Sequence, residues 1–540
     1  MKKILSLILA VLMLATSLLS VVSCTTPADT TEGTENDVGE NGVPIYQNGE
    51  LFIVGGLEGD VKSNYQVVYR TGANTNPTTG AAFKEALTAL RKAFKRFDYQ
   101  LVKITDDSIP RGEEDTFVAP EYEILIGRTN REESNIGGEL AFNEAVIRTV
   151  GKKIVILGKT DSITTAALYF FIDNYMSEDK TVVTVPADLN RVIKLDLTQS
   201  VSSGKSYMVM ADEMFDSFHE EYWTGTWLRN AYWWDAAEML ETYVDAYEAR
   251  KDAESLKRME DYAKAFIREK NNNWSYNDFN DDIMWACIAF ARIAKLTNNN
   301  TSKLYAKYAK DNFDRVWARS YDTRLGGGLY WKKDNTTKNS CVNCPASIAA
   351  CLIGDLYSDD TYYEKAKSLM DWEFKEMFEP ENGKVYDAYP LGGEKSTWAS
   401  TYNQGTFIGA CTLLYKKYGD EKYIQYAGKA ADYAMNRLTS GGILDNGEGN
   451  PVESNRDLIG FKGILTRWLY RYAKEVNSIE ILSFLQQNMD KAYSNRNAEG
   501  LCWTQWQKKT PDGVTNDPNY FLFGMSTCVA LAYNCHQWWE

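Results

Sequence analysis

Two adjacent aspartates, Asp281 and Asp282, precede an apolar stretch that predicts a helix. Cleavage of a glycosidic bond needs two carboxyl groups that flank it, and retaining enzymes place them only about 5–5.5 Å apart. Neighbouring residues at a helix start can supply both groups if both side chains face one cavity. The pair also suits a structural role, because Asp is a favoured helix cap and negative charge in the first turn complements the helix dipole. The pair alone leaves both interpretations open.

The composition excludes several other chemistries. The chain of 540 residues has a net charge of −15 and only two histidines, His219 and His536. A nucleic-acid partner is disfavoured because phosphate binding needs a basic face. A zinc site or a Ser-His-Asp hydrolase is disfavoured because each needs suitably placed imidazoles, and we expect neither a metal nor another cofactor. The 15 Trp and 34 Tyr residues suit a protein that binds sugars, whose C–H faces stack on aromatic rings.

The N-terminus predicts export and a lipid anchor. Lys2 and Lys3 precede an apolar run that ends in small residues before Cys24, which is the pattern of an export signal. The cysteine at the cleavage point resembles a bacterial lipobox, which would make Cys24 the lipidated first residue of the mature protein. We find no second apolar run of about 18 residues that predicts a spanning helix. Residues 1–24 are therefore expected to be a lipoprotein signal, and the protein a lipid-anchored, extracytoplasmic component of the bacterial cell envelope.

Two further segments precede the longest part of the chain. Residues 25–48 are rich in Thr, Glu, Asp, Gly and Pro, which predicts a flexible linker. From 49 to 198, short β-rich runs alternate with amphipathic stretches, which predicts a small α/β accessory domain with a mostly parallel sheet. The eight cysteines after Cys24 lie mostly in apolar helical runs, which favours buried thiols over disulfides.

From residue 205 to residue 540 the sequence is helical and repeats itself. Five of six apolar helices are followed by a short polar turn and a more charged helix, at a period of about 50–60 residues. Such repeats predict stacked helical hairpins. With Met208–Trp223 as the twelfth helix, the all-α domain is predicted to close into an (α/α)6 toroid with the apolar helices inside. The six apolar helices are predicted over 228–249, 282–297, 341–357, 404–418, 461–475 and 522–536.

Closure of the toroid would gather the segments that enter the inner helices at one end. These segments are unusually polar and aromatic, although a packed core would need neither property. We therefore expect Asp281 and Tyr402, which enter different inner helices, to open on the same end of the domain.

Six ordered motifs in residues 205–540 together resemble glycoside hydrolase family 76, the bacterial endo-α-1,6-mannanases. The aspartate pair is followed by Trp285, and the match at 401–405, Thr-Tyr-Asn-Gln-Gly, is the most specific. The other motifs are the glycine-rich turn at 325–332, Lys338-Asn339-Ser340 with Asn343, Val385-Tyr386-Asp387 and Phe461-Lys462-Gly463-Ile464.

The resemblance implies a retaining enzyme that acts on α-mannan, with Asp281 as the nucleophile and Asp282 as the acid/base. We expect a monomer that needs no cofactor. Substrate-binding roles are then expected for eight rim residues, although helix capping or packing could also account for them. They are Trp285, Trp331, Lys338, Asn339, Asp387, Tyr402, Asn403 and Gln404.

One departure from the family pattern bears on substrate preference. Family members often carry Gln and His after the Trp pair of the first inner helix, whereas here Trp233-Trp234 is followed by Asp235-Ala236-Ala237. Two alternative functions stay open. One is a surface lipoprotein that binds carbohydrate without cutting it, and the other is an (α/α)6 hydrolase that acts on a different glycan.

Overall fold

The chain divides into two compact units, Met1–Gly204 with Ser478–Ser483, and Lys205–Asn477 with Phe484–Glu540. The predicted signal, including Cys24, lies outside the residues that the structure describes. The computed structural model describes residues 37–38, 44–55, 63–75, 79–97, 103–109, 112, 116–136, 140–141, 143–200, 203–297, 299–449, 456–517 and 519–539.

The described residues of the first unit form an α/β domain with two sheets. The larger sheet has six strands in the order β10-β7-β8-β6-β4-β5. Four adjacent strands of this sheet are parallel to one another, namely β8, β6, β4 and β5. Helices α1 (Gly80–Lys95) and α2 (Asp161–Tyr175) pack against each other. The strands of this sheet are β4 Gln66–Tyr69, β5 Ile104–Asp106, β6 Glu123–Ile126, β7 Glu144–Val150, β8 Lys153–Gly158 and β10 Asn190–Lys194.

The smaller sheet was not predicted and begins before residue 49. Its order is β1-β2-β3-β9, with β1 at Asp37–Val38, β2 at Pro44–Gln47, β3 at Glu50–Val54 and β9 at Val183–Pro186. The first two strands therefore fall inside the segment 25–48 that was expected to be a flexible linker. Composition does not reveal such strands, because backbone hydrogen bonds to a partner strand stabilise them rather than a buried apolar face of their own.

Within the residues that the structure describes between Tyr207 and Tyr533, the chain forms a closed ring of six inner helices surrounded by six outer helices. Each inner helix contacts the next, and Leu522–Tyr533 contacts Trp234–Arg250, which closes the ring. Tyr207–Tyr222 packs against Leu522–Tyr533, so the prediction of the twelfth helix and of an (α/α)6 toroid is confirmed. The outer helices are α3 Tyr207–Tyr222, α5 Ala253–Lys270, α7 Asn300–Ser320, α9 Asp360–Trp372, α11 Glu421–Arg437 and α13 Ile479–Ser494. The inner helices are α4 Trp234–Arg250, α6 Asn280–Thr297, α8 Ser340–Tyr357, α10 Thr401–Tyr418, α12 Phe461–Val476 and α14 Leu522–Tyr533.

The repeated polar turns have one physical explanation. An inner helix ends at a residue in the left-handed conformation, such as Lys251, Ser358 or Gly419, with φ of 55°, 51° and 67°. The following aspartate then caps the outer helix, as Asp252 does by accepting a hydrogen bond from the Ser255 amide at 2.8 Å. Two residues are thus enough to reverse the chain. The first ends one helix in the left-handed conformation, and the side chain of the second accepts a hydrogen bond from a free backbone amide at the start of the next helix.

Helix α8 is apolar and long enough to cross a membrane by composition, with a mean hydropathy of 1.2 over Ser340–Tyr357. We had expected no such run beyond the N-terminus, and that expectation was wrong. Of the residues in this helix, 83% are buried within the described part of the protein, so its apolar composition is explained by its position in the inner ring.

The prediction of buried thiols is confirmed, since all eight cysteines after Cys24 are free and buried.

A buried network of charges joins three inner helices. The Arg292 guanidinium donates to Glu241 at 2.7 Å and to Asp245 at 2.6 Å. The Arg467 guanidinium donates to Asp245 at 2.7 Å and to Glu238 at 2.9 Å. The Arg467 side chain is only 1% exposed. Because a buried carboxylate is costly unless it is paired, these two arginines are needed by the carboxylates of α4.

Candidate active site

The aspartate pair occupies the first turn of α6, and Asn280 fixes that turn to the segment before α8. The Asn280 amide nitrogen Nδ2 donates to the Tyr330 carbonyl at 2.7 Å and to Ser320 Oγ at 3.0 Å. Its side-chain oxygen accepts from Arg319 at 2.7 Å, and its backbone N–H donates to the Trp331 carbonyl at 2.8 Å. The start of the helix is therefore held by a completely buried and fully bonded residue.

The glycine-rich turn at 325–332 lets this segment approach closely. Gly328 has a φ of +84°, and a Cβ there would lie 2.9 Å from the Trp372 ring and 3.1 Å from Asn343 Oδ1. Asn343 also binds the turn, since its Oδ1 accepts from the Leu329 amide at 2.7 Å. A side chain at 328 would push the turn away from α8 and disturb the anchor of the aspartate pair.

The Asp281 carboxyl group is buried, with 9% of the residue exposed. Its Oδ2 accepts a hydrogen bond from Cys341 Sγ at 3.5 Å, and Oδ1 has no partner among the described residues. Burial raises the pKa of Asp281 to about 7, while hydrogen bonds from Trp331 and Cys341 oppose that rise. The group is thus a carboxylate held in a poorly solvated place with one free oxygen.

The Asp282 carboxyl group accepts a hydrogen bond from Asn277 Nδ2 at 2.8 Å. Burial raises its pKa well above the usual value, and the charge of Asp281 raises it further. Asp457 and Asp235 add to that rise. Because two close carboxylates cannot both ionise freely, one group is held ionised and the other protonated around neutral pH. This is the division of roles that a nucleophile and an acid need.

An aromatic stack lies beside the pair, and it brings Tyr402 to the same end as Asp281. The Tyr402 ring lies 3.7 Å from the Phe461 ring with an interplanar angle of 9°. On its other side, Trp285 lies 6.3 Å away, centroid to centroid. Trp285 is only 1% exposed, so it packs behind Tyr402 and does not offer a face to a sugar. The expected stacking role of Trp285 is therefore wrong, whereas Trp331 is half-buried and reaches the Asp281 carboxyl group.

Three more of the expected binding residues lie near one another at this end. Asn403 Nδ2 lies 3.4 Å from Asp387 Oδ1, and burial raises the pKa of Asp387. The side-chain oxygens of Asn339 and Asn403 are buried and have no partner among the described residues. Asp387 is half-buried, whereas Asn403 is completely buried and Asn339 is 8% exposed, so of the three only the Asp387 carboxyl group is open to a sugar hydroxyl.

Two expected sugar contacts have structural roles instead. The Lys338 ammonium is buried and donates to Asp322 Oδ1 at 2.9 Å, to the Arg324 carbonyl at 2.6 Å and to the Gly327 carbonyl at 2.5 Å. Gln404 accepts from the Val385 amide at 2.6 Å and donates to the Gly383 and Ala430 carbonyls, each at 3.0 Å. With every polar atom engaged, neither side chain is available to a substrate.

The residue that departs from the family pattern belongs to the same rim. Asp235 is completely buried, accepts from the Tyr232 amide at 2.9 Å and lies 3.4 Å from Arg456 Nη2. Nearby, Asp457 accepts hydrogen bonds from Trp234 Nε1 at 2.7 Å and from the Tyr232 hydroxyl.

The sequence did not predict a site role for Asn277 or for Cys341. Only their contacts with Asp282 and Asp281 identify them as site residues, and those contacts form only in the folded protein.

An (α/α)6 barrel with one buried and one half-buried carboxyl group side by side at one end defines the molecule as a glycoside hydrolase. The model of glycosyl hydrolase family 76 matches residues 200–532, more than half of the chain. The chain belongs to this family.

Relatives of known structure or name agree with that assignment. An inactive variant of the α-1,6-mannanase GH76A of Salegentibacter sp. HEL1_6, with two consecutive aspartates replaced by alanine, was solved in complex with α-1,6-mannotetrose. It is 28% identical with a TM-score of 0.55, over 61% of this chain and 99% of that one. The mannan endo-1,6-alpha-mannosidase of Candida albicans is 22% identical in an alignment 362 residues long, which covers 61% of this chain and 79% of the relative. A family 76 α-mannanase of Bacteroides thetaiotaomicron has the same fold, with 17% identity, a TM-score of 0.51 and coverage of 61% and 95%.

Proposed function

We propose that this protein cleaves α-1,6-mannosidic linkages in mannan by a retaining double displacement. The observation that carries the proposal is the pair of adjacent carboxyl groups, Asp281 buried and Asp282 half-buried, whose surroundings favour one ionised and one protonated group. The Salegentibacter mannanase supports it, because its inactive variant lacks two consecutive aspartates and was studied with α-1,6-mannotetrose.

In the first half of the reaction, Asp281 attacks the anomeric carbon while Asp282 gives its proton to the leaving oxygen. The covalent mannosyl–aspartate intermediate then removes the negative charge of Asp281. Without that charge beside it, Asp282 remains ionised more readily, so it can take a proton from the attacking water in the second half. The coupling between the two groups thus changes the role of Asp282 from acid to base.

The rim supplies contacts to the sugar that is cleaved. The half-buried Asp387 carboxyl group accepts hydrogen bonds from its hydroxyls, and the buried Asn403 amide beside it, 3.4 Å away, orients that group. The half-buried Trp331 offers apolar surface to a C–H face. Tyr402 is fixed by the Phe461 ring and borders the same space.

The stereochemistry of the first product tests the mechanism. We expect purified protein to hydrolyse α-1,6-mannotetraose and to release the α anomer first, as followed by proton NMR before mutarotation. Release of the β anomer first would contradict the double displacement but leave a hydrolase. No hydrolysis of this substrate, together with cleavage of another glycan, would contradict the linkage specificity.

We also propose that the protein is exported and anchored to the membrane through a lipid on Cys24. Support comes from the basic start, the apolar run and the small residues before this cysteine. Globomycin, which blocks lipoprotein signal cleavage, is expected to cause the full-length precursor to accumulate. The variant Cys24→Ala is expected to lose membrane association in fractionated cells, and Cys287→Ala, a buried thiol of α6, serves as the control. Membrane association that is unchanged in Cys24→Ala would contradict the anchor.

A further inference from the structure

The thiol of Cys341 lies directly against the carboxyl group of Asp281. Cys341 is the second residue of α8 and is 2% exposed, and its Sγ lies 3.5 Å from Asp281 Oδ2. Since an ionised carboxylate can only accept hydrogen bonds, the S–H group is the donor in this contact. Because Asp281 Oδ1 has no partner among the described residues, this thiol supplies one of few hydrogen bonds to the group.

A second side chain orients the thiol. The Tyr402 hydroxyl faces Cys341, and the ring of Tyr402 is fixed by its stack on Phe461. With the S–H proton directed at Asp281, the sulfur lone pairs are left to face the Tyr402 hydroxyl. Side chains from α10, α8 and α6 therefore meet at this thiol, and the contacts between these neighbouring inner helices hold them in place.

We propose that Cys341 is a positioning residue for Asp281, whose thiol hydrogen bond orients the carboxylate and favours its ionised form. The inference rests on the proposed role of Asp281 as the nucleophile. Burial raises the pKa of Cys341 well above its usual value, so the sulfur keeps its proton and remains a donor. The titratable groups that face Asp281, Asp282 or this thiol are Cys341, Tyr402, Asp387, Asp235 and Asp457.

A direct titration tests this role without relying on catalysis. Protein with ¹³C-labelled aspartate carboxyl groups is titrated by NMR in an Asp282→Asn background, so that Asp281 titrates without its neighbour's charge. The Asp281 signal is assigned by its loss in Asp281→Asn. We expect Cys341→Ala to raise the apparent pKa of Asp281 by about 0.5–1, because a hydrogen bond to the charged form is lost. Cys341→Ser keeps a donor and is expected to restore most of the difference.

The control is Cys351→Ala, which removes another buried thiol ten residues further along α8 and is expected to leave the titration unchanged. With Asp282 intact, the acid limb of the kcat/KM profile on mannan should move upward in Cys341→Ala and not in Cys341→Ser. An unchanged Asp281 titration in Cys341→Ala, or equal changes in the Ala and Ser variants, would overturn the inference. A wild-type protein that is inactive on mannan while the titration moves as expected would instead overturn the proposed function.

Discussion

Replacing either Asp281 or Asp282 by alanine is expected to lower kcat on α-1,6-mannan by at least ~10³-fold. Each carboxyl group is essential to one half of the proposed double displacement, and the other cannot substitute for it. Kinetics with soluble mannan and a reducing-end assay measure the effect. Asp278→Ala is the matched control, because Asp278 lies three residues upstream, its side chain is 72% exposed and it pairs only with Lys333 among the salt bridges of the described residues. It should keep near-wild-type kcat.

An activated aryl mannoside, if accepted, separates the two roles. Its leaving group needs little protonation, so Asp282→Ala should still form the glycosyl–enzyme and be slowed mainly in its hydrolysis. Added azide should then restore turnover by attacking the intermediate. Asp281→Ala should show no such rescue by this retaining route. If either alanine variant hydrolyses mannan at nearly the wild-type rate, the pair is only a helix cap.

The same pair predicts the pH dependence of the wild-type enzyme. Activity needs an ionised Asp281 and a protonated Asp282. Burial raises the pKa of Asp282, and the charge of Asp281 raises it further. The rate should fall at low pH as Asp281 takes up a proton and at high pH as Asp282 loses one. The two limbs belong to the pair as a unit, since the groups interact strongly.

Arg467→Ala is expected to lower the free energy of unfolding of the helical unit by ~3–5 kcal/mol. The change would leave Glu238, Glu241 and Asp245 buried beside a single remaining central arginine, Arg292. Urea unfolding followed by tryptophan fluorescence measures the loss. The deficit should shrink as the pH is lowered, because protonation neutralises carboxyl groups that no longer have a partner.

Arg471→Ala provides the control for that experiment. Arg471 is on the same helix, but its side chain is 22% exposed and its shortest ion pair is with Glu248, which is 42% exposed. Its second partner, the buried Asp245 at 3.4 Å, would keep both Arg292 and Arg467. Water can solvate that carboxylate once its partner is removed, so a loss of about 1 kcal/mol or less is expected. Equal destabilisation in the two variants would contradict the importance of burial in the network.

The helical ring could be predicted from the sequence because its information is local and repeated. Each polar turn contains a helix end and a helix start in adjacent residues, and each inner helix carries its own apolar surface. The small sheet with strands β1 and β2 could not be predicted, because the segment before residue 49 is mostly polar. Strand β2 forms by pairing with β3, and β1 forms by pairing with β2. The apolar helix α8 likewise has no distinguishing mark in the sequence, since a core helix and a spanning helix have similar composition.

The sequence by itself determined the aspartate pair, the end of the ring at which it opens and the family motifs around it. Only the tertiary structure decided which of those motif residues remain accessible to a substrate beside Asp281 and Asp282. Lys338, Gln404 and Trp285 are of types that suit sugar binding, yet partners from other segments of the chain bury them. For Cys341 the reverse holds. Its sequence context is that of an ordinary core thiol, and it contacts Asp281 only because two inner helices pack together in the fold. Residue type is a local property, but the partner of a polar group is set by the fold.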